Sequence, residues 1–534
     1  MTVTVRPSHR RRKIVFTNRL AVRMAETQDN DPTASAKLEE LLSSNARIEE
    51  LSSASEVEIE VEEEEEEEED DSDSEPELID GQNVHGWLGL KVPKPVPSIF
   101  LGLPLLRDEL VTETTEVQDA VAQLCIDLMS GKEQEMEELN KHGIPKLRRQ
   151  KHVKFLRQVL GKYPHQFQVM DASRPWLLYW GLAGLSALGE DVSKYRERTI
   201  QTFAPMQNPN GGFGGGYGQL SHCAASYAAT LSLAIVDGLH IINRKTMWQW
   251  LGSVKQADGG FAMAIGGEED VRGAYCSMTI ASLLNLPIIL PSNSPANVTG
   301  TETFLTGLGE WFGRCQTYEG GIGGAPDNEA HGAYAFCCLA GLSIIDAPFR
   351  SIPKYLNVNR LLSWLSSRQT APEGGLSGRS NKLVDACYSH WVGGCWSLIE
   401  AALGGPTKGP SIGGLFNREA LVRYTLCCSQ TKAGGLRDKP GTRQDGYHTC
   451  YSLAGLSAAQ YHWNYQEHKD SSGLNKTLQL EAPFNWSHRA ASEEERNQWA
   501  FDESDALSAI HPVFVIPPQA AERARKQFQH TVGF

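Results

Sequence analysis

Gln207-Asn-Pro-Asn-Gly211-Gly-Phe213 is the stretch on which the reading of this chain turns. It recurs as Gln256-Ala-Asp-Gly259-Gly-Phe261, Gln316-Thr-Tyr-Glu-Gly320-Gly-Ile322, Gln369-Thr-Ala-Pro-Glu-Gly374-Gly-Leu376 and Gln430-Thr-Lys-Ala-Gly434-Gly-Leu436. The glycine pairs stand 48, 61, 54 and 60 residues apart, which leaves room for two helices and their connections in each interval. A repeat of this length marks stacked supersecondary units that bury their faces against their neighbours. Paired glycines suit turns that need positive φ and close backbone approach. Strand-like alternation is scarce, so the chain reads as an all-α array of helix pairs. Periodicity alone does not say whether the array closes into a ring.

Each glycine pair is followed by an aromatic near the start of a helix rich in small residues. Aligning the units on Tyr227, Tyr275, Tyr334, Tyr388 and Tyr451 places Ala224, Arg272, His331, Asp385 and His448 three residues earlier. Cores rarely hold Arg, Asp and two His at equivalent places, so stacked repeats would turn these side chains into one shared space, a candidate active-site ring.

Outward from the repeats, Val117–Met129 and Lys151–Leu160 carry apolar residues at helical spacing. Asp171 or Ser173 is expected to cap a largely apolar helix over Leu177–Leu188. Pro93, Pro95 and Pro97 mark an extended linker over 81–109, ahead of a repeat domain over 110–534. Residues 1–80 read as a disordered tail. Residues 51–80 hold 17 Asp or Glu and no Lys or Arg, more than the whole net charge of −15. The remainder is close to neutral, at −15 + 17 = +2, and offers no global argument for nucleic-acid binding. The first 25 residues are Arg-rich and acid-poor, which suits an organelle transit peptide, a basic arm or an over-extended start. Eleven cysteines, an odd number with two adjacent pairs, point to reduced thiols in a reducing, cytoplasmic setting. No apolar run reaches the ~18 residues of a membrane span, so an integral membrane protein is not expected.

Asp385, Cys387 and His448 supply a carboxylate, a thiol and an imidazole, which with an open fourth position describe a catalytic zinc site. A buried, hydrogen-bonded Asp is the competing reading of that trio. Arg379, Lys382, Arg272 and His331, beside the Tyr388 phenol, suit an anion with several oxygens such as a diphosphate. Solvated surface is the bland reading for Arg379 and Lys382. Trp176, Tyr179, Trp180, Tyr275, Tyr334, Trp391 and Tyr447 could line an apolar slot or pack helices. Gly211–Gly216 lacks the Gly-Lys-Ser/Thr ending of a phosphate-binding loop and does not match GxGxxG.

Over 110–534 these stretches resemble the β subunits of protein prenyltransferases, in particular the farnesyltransferase branch. The resemblance rests on DASRPWLLYW at 171–180, GGEEDVRGAYC at 266–276, EAHGAYAFC at 329–337, NKLVDACYSHW at 381–391, DKPGTRQDGYHTCY at 438–451 and IHPVFVI at 510–516. It implies an α–α toroid, a barrel of helix pairs whose inner helices enclose a funnel. It also implies one Zn2+ per chain on Asp385, Cys387 and His448, and an isoprenoid diphosphate held by His331, Arg379, Lys382 and Tyr388. Lys382 and Tyr388 would then act with the zinc ligands in catalysis. Trp176, Trp180, Tyr275, Cys337 and Trp391 would line the lipid or peptide pocket, Arg272 would face both, and Tyr447 would contact a C-terminal CaaX tetrapeptide. A helical α subunit would complete a heterodimer. Trp176, where the geranylgeranyl relative has a small residue, and Asp438, where it has a Lys, favour farnesyl diphosphate as donor. Asp438 would serve Mg2+ at the diphosphate. Thr442 and Gly446 stand where the family is expected to carry larger residues, which bears on diphosphate and peptide contacts.

Triterpene cyclases share glycine-rich helical repeats but need an acidic cluster, and no Asp-x-Asp-Asp motif is present. A non-catalytic helical scaffold is the reading from a different class, and it gives Asp385, Cys387 and His448 no reason to converge on a metal.

Overall fold

The structure, a computed structural model, describes residues 111–131, 138–298, 300–405, 414–467, 478–531 and 533–534. The acidic tail over 1–80 and the linker over 81–109 lie outside them.

Helices come in pairs, as the repeat requires. An outer set comprises α2 (Arg149–Val159), α4 (Arg196–Phe203), α6 (Arg244–Val254), α8 (Leu308–Arg314), α11 (Val358–Ser366) and α14 (Arg418–Arg423). The inner set comprises α3 (Arg174–Ala187), α5 (Cys223–Ile235), α7 (Val271–Leu283), α9 (Gly332–Ile345), α12 (Tyr388–Trp391) with its continuation α13 (Cys395–Gly404), and α15 (Gly446–Gln460). α1 (Glu113–Met129) precedes the series, and α10 (Pro348–Tyr355) is inserted before α11. Composition explains the two layers. α5 and α7 are built from Ala, Ser, Thr, Leu and Tyr and are buried nearly all round, as a helix enclosed by other helices must be. α6 fully buries only Met247, Trp250, Leu251, Gly252 and Val254 and keeps the rest half-buried or exposed.

The repeated Gln and glycine pair join one unit to the next. Gln207, Gln316 and Gln369 each accept from the backbone N–H of Asn243, Asn357 or Asn417 and donate to the same residue's carbonyl, at 2.8–3.1 Å. Those three asparagines are the N-caps of α6, α11 and α14. The first glycine then lies against the same helix start. A Cβ on Gly211, Gly320 or Gly434 would sit 2.0, 2.4 or 2.3 Å from the carbonyl oxygen of Thr246, Arg360 or Lys151, and all three glycines have positive φ.

The last of these contacts answers the question that periodicity left open. Lys151 belongs to α2, so the fifth glycine turn packs on the first outer helix. Gln430 continues the clamp there, accepting from Arg148 N and facing His152 Nε2 at 2.8 Å, while His152 Nδ1 accepts from Gly435 N at 2.9 Å. Inside, α3 packs on α5, α5 on α7, α7 on α9, α9 on α12, α12 on α15, and α15 back on α3. The inner helices therefore form a closed ring. Ala at Gly434 should destabilise the fold by about 3 kcal/mol, from overlap plus positive φ. Ala at Gly441, which has φ +87 but open space around it, should cost only about 1 kcal/mol. Denaturant midpoints of the two variants check this, and equal losses would contradict the packed closure.

Two features depart from the sequence reading. Neither Asp171 nor Ser173 caps α3: a 3-10 segment over His165–Ser173 leads straight into the helix, and Pro175 in the first turn has no N–H to satisfy. Asp171 instead accepts from Arg174 and from Gln219 Nε2. A short antiparallel hairpin, β1 (Tyr461–Tyr465) and β2 (Trp486–Ala490), follows α15. The segment 510–516 fills one end of the ring, where the carbonyls of Val513 and Val515 accept from Tyr275 Oη and Tyr179 Oη at 2.7 and 2.8 Å. α16 (Glu493–Gln498) and α17 (Pro518–Phe528) complete the C-terminal part.

Candidate functional site

Every inner helix after α3 starts by the same backbone device. Nine residues after the Phe, Ile or Leu that ends each glycine turn stands His222, Asp270, His331, Asp385 or Asp445. Each donates its N–H to that residue's carbonyl at 2.9–3.3 Å. Each also accepts a helix N–H on its side chain: Ala224 to His222 Nδ1, Arg272 to Asp270, Ala333 to His331 Nδ1, Cys387 to Asp385, and His448 to Asp445. This register corrects the one taken from the tyrosines. Tyr227 and Tyr275 lie five residues past the capping residue, Tyr334 and Tyr388 three, and Tyr451 six. Ala224 and Arg272 are thus equivalent, His331 and Asp385 occupy the capping position itself, and His448 takes a third place. Tyrosine identity does not fix helical phase, whereas the turn hydrogen bond does. His222, Asp270 and Asp445 were missed, and the nine-residue spacing was the signal that could have found them.

The polar groups still converge on one rim, because every capping position lies at a helix start. The ligand atoms of Asp385, Cys387 and His448 all fall within 4.8 Å of one another. His448 Nε2 is 3.3 Å from Asp385 Oδ1, and its Nδ1 is 2.5 Å from Asp445 Oδ2. Burial disfavours charge on His448, but Asp445's charge, with hydrogen bonds to Asp385 and Cys387, lifts its imidazole well above the usual range. Burial pushes Asp385 up, yet the hydrogen bond and charge of His448 outweigh it and hold the carboxyl low. Burial, followed by the Asp385 charge, drives the Cys387 thiol well up, which disfavours the thiolate that a cation beside it would favour. The donors fit zinc: one sulfur, one nitrogen and one carboxylate oxygen within 4.8 Å of one another, a three-residue set of the kind that leaves a fourth position to another ligand. Asp445 fixes Nδ1 as the protonated nitrogen and leaves Nε2 for the cation. Asp445→Asn should weaken metal binding about 10- to 100-fold without unfolding the chain. Competition with a chromophoric chelator measures this, and unchanged affinity would contradict the positioning role.

Beside this trio, His331 Nε2 lies 3.0 Å from Tyr388 Oη. Burial, with Arg379 and Arg272 nearby, pushes His331 down to about 4 and keeps it neutral at physiological pH. Its Nδ1 already accepts from Ala333 N, so Nε2 carries the hydrogen and donates to the phenol. The Tyr388 hydroxyl hydrogen is then free for another acceptor. Arg379 is half-exposed and pairs with Glu329 at 3.1 Å, and Lys382 is exposed. Arg272 forks onto Asp270 at 2.9 and 2.7 Å and lies over the Tyr334 ring at 5.5 Å. Burial opposes its charge, but Asp270 outweighs that and holds the guanidinium ionised.

Aromatic side chains run in an unbroken circuit round the inside of the ring. Trp176 meets Tyr227 at 5.7 Å, Tyr227 meets Tyr275 at 5.4, and Tyr275 meets Phe336 at 5.9. Phe336 then meets Trp391 at 5.7 Å, Trp391 meets Tyr451 at 4.5, and Tyr451 meets Tyr447 at 5.0. Tyr447 meets Trp180 at 5.5 Å, and Trp180 stacks on Trp176 at 5.8. Trp176, Trp180, Trp391 and Tyr447 are partly exposed and form the accessible wall, with Trp391 Nε1 donating to Tyr447 Oη at 3.0 Å. Tyr275 and Cys337 lie in the buried layer behind it. At Gly446 an added Cβ would meet only Val159 at 3.3 Å and Trp180 at 3.8 Å, so the chain is thin where it backs that tryptophan. Asp438 adjoins the trio through its carbonyl, which accepts from Ala386 N at 2.8 Å, between Asp385 and Cys387.

Comparison with known proteins agrees with this geometry. Residues 147–516 match the family described as the prenyltransferase alpha-alpha toroid domain. The chain is 50% identical over 451 residues to the protein farnesyltransferase subunit beta of Pyricularia oryzae, covering 82% of this chain and 85% of that one. It is 35% identical over 424 residues to the protein farnesyltransferase subunit beta of Schizosaccharomyces pombe, covering 79% and 98%. Among solved structures, Candida albicans protein geranylgeranyltransferase-I complexed with GGPP matches with a TM-score of 0.53 over 72% of this chain and 99% of that one. At 21% identity that likeness concerns the fold alone.

Proposed function

The chain belongs to the family of protein farnesyltransferase β subunits, the prenyltransferases built on an α–α toroid, and from that premise we propose that it transfers farnesyl from farnesyl diphosphate to the cysteine of a C-terminal CaaX motif. The observation that carries the reading is the convergence of Asp385, Cys387 and His448 within 4.8 Å, on the rim of an aromatic-walled ring.

Zinc held by these residues supplies a Lewis-acidic centre that keeps a sulfur ligand ionised near neutral pH. The chain's own groups do the rest. Asp445 holds the His448 ring in the right tautomer. Trp176, Trp180, Trp391 and Tyr447 present the apolar wall that takes the isoprenoid and the aliphatic residues of the tetrapeptide, and exclude water from the reacting carbon. The free Tyr388 hydroxyl hydrogen, with Arg379 and Lys382, binds diphosphate oxygens and stabilises the charge that grows on them as the carbon–oxygen bond breaks. Arg272, held ionised by Asp270, suits the carboxylate that ends the peptide, with the His222 Nε2–H on the neighbouring helix as a second donor. Asp438 is the group for magnesium, and the half-buried Trp176 limits the lipid to farnesyl length.

A prenyltransferase α subunit completes the enzyme as a heterodimer, and the isolated chain is expected to be inactive. No helix among the described residues is long and apolar enough to cross a membrane. The eleven cysteines are all buried and none is in a disulfide, which supports a cytoplasmic location.

The test is competitive transfer of farnesyl and geranylgeranyl to a peptide ending in Cys-aliphatic-aliphatic-Ser, by the chain co-expressed with an α subunit, with and without a zinc chelator. Chelator-sensitive transfer of farnesyl is expected. Preference for geranylgeranyl overturns the reading of Trp176 and Asp438, and failure of both lipids in a well-formed complex overturns the enzymatic reading.

A further inference from the structure

The carboxylate assigned to magnesium is already occupied by the chain itself. Asp438 Oδ1 accepts from the backbone N–H of Lys439 at 2.6 Å and from Thr442 Oγ1, and Oδ2 accepts from the Lys439 ammonium at 2.5 Å. The pair is largely shielded, with side-chain exposures of 22% for Lys439 and 10% for Asp438. The backbone is pinned as well: the Asp438 carbonyl accepts from Ala386 N at 2.8 Å and from Tyr424 Oη at 2.6 Å. Thr442 Oγ1 also donates to Lys439 O at 2.9 Å and closes the loop over 438–442 on itself.

These donors are not equally compatible with a cation. A carboxylate has about four lone-pair sites, so the hydroxyl and the backbone N–H can remain while a metal binds. The ammonium cannot, because a second positive charge within a few ångströms in a shielded site is strongly repelled. Magnesium also demands near-octahedral oxygen donors and gives up its own water reluctantly, so it gains little from a carboxylate that is half taken.

Resting on the reading of Asp438 as the magnesium carboxylate, we propose that Lys439 is a tethered competitor of magnesium: its ammonium must leave Asp438 before the metal binds, and it thereby sets the magnesium concentration the reaction needs. The arriving diphosphate supplies the destination. Its oxygens offer Lys439 a new partner, so that metal and diphosphate enter together and magnesium binds poorly to the diphosphate-free enzyme.

The experiment measures Mn2+ binding by electron paramagnetic resonance to the αβ complex with farnesyl diphosphate and no peptide, so that no turnover occurs. The Lys439→Met variant should bind Mn2+ about tenfold more tightly than the native complex, equal to about 1.4 kcal/mol. Lys439→Arg, which keeps the charge, should not tighten binding. Unchanged affinity in Lys439→Met, alongside loss of binding in Asp438→Asn, overturns the competitor role and leaves the Asp438 reading standing. Undiminished binding in Asp438→Asn overturns the Asp438 reading itself, and the proposal with it.

Discussion

Replacing Cys387 with alanine will strip the metal from the protein and lower farnesyl transfer by roughly a thousandfold, about 4 kcal/mol of transition-state stabilisation. The reason lies in the substrate as much as in the site. A free cysteine thiol has an ordinary pKa of about 8.5, so only a few per cent is thiolate at neutral pH. Without a cation on the rim, the incoming thiol enters the same surroundings that drive the Cys387 thiol well up. Removing Cys387 takes away the softest of the three donors, and Asp385 and His448 then remain 3.3 Å apart as an ordinary ion pair. Cys387 is buried, and Ala is the smaller residue, so the ring should stay folded. Metal content by atomic absorption and single-turnover transfer rates check the result together. A variant that keeps stoichiometric zinc, or one that loses it while transferring at the native rate, would contradict the assignment.

Trp176→Ala is expected to redirect the enzyme rather than disable it. Trp176 is held on three sides, stacked on Trp180 at 5.8 Å and edge-on to Tyr179 at 5.9 Å, with Tyr227 at 5.7 Å. Its ring is therefore hemmed in, and on the proposed reading a lipid one isoprene unit longer would meet it as a wall. Removing the ring would then open apolar volume where the extra unit would lie. Each buried methylene contributes about 0.8 kcal/mol, and overfilling a packed pocket costs about 1–3 kcal/mol. A swing of roughly a hundredfold in the ratio of kcat/KM for the two diphosphates follows. Competition between labelled farnesyl and geranylgeranyl diphosphate reads the ratio directly. Equal loss with both donors would mean that Trp176 supports the helix packing and does not measure the lipid.

Much of this was legible in the chain because the repeat is written in backbone requirements. A glycine with positive φ against a neighbouring carbonyl tolerates no other residue, so Gly211, Gly320 and Gly434 announce the helix pairs. The Gln beside them clamps the next helix start, and it too recurs. The convergence of Asp385, Cys387 and His448 was legible for a different reason: their residue types are costly in a core and suit a metal. Helical phase was not legible from the tyrosines, because an aromatic can face the ring interior from more than one turn of a helix. His222, Asp270 and Asp445 went unnoticed for that reason, although they stand at the same distance from every glycine turn. Ring closure needed the contact of Gly434 with Lys151 and the His152–Gln430 hydrogen bond, which join residues some 280 positions apart. The break in the fifth inner helix at Gly393-Gly394 and the hairpin pairing of Tyr461–Tyr465 with Trp486–Ala490 also depend on partners that local pattern does not name.

On the proposed reading, Asp385, Cys387 and His448 hold a metal whose fourth position takes the substrate sulfur. Cobalt in place of zinc makes this visible, since each thiolate on the metal adds a near-ultraviolet charge-transfer band. The cobalt-loaded αβ complex should show the band of Cys387 alone. A peptide ending in Cys-aliphatic-aliphatic-Ser, added with a non-reactive analogue of farnesyl diphosphate, should about double it as a second sulfur joins the tetrahedral site. A band that stays unchanged while the peptide demonstrably binds would contradict the claim.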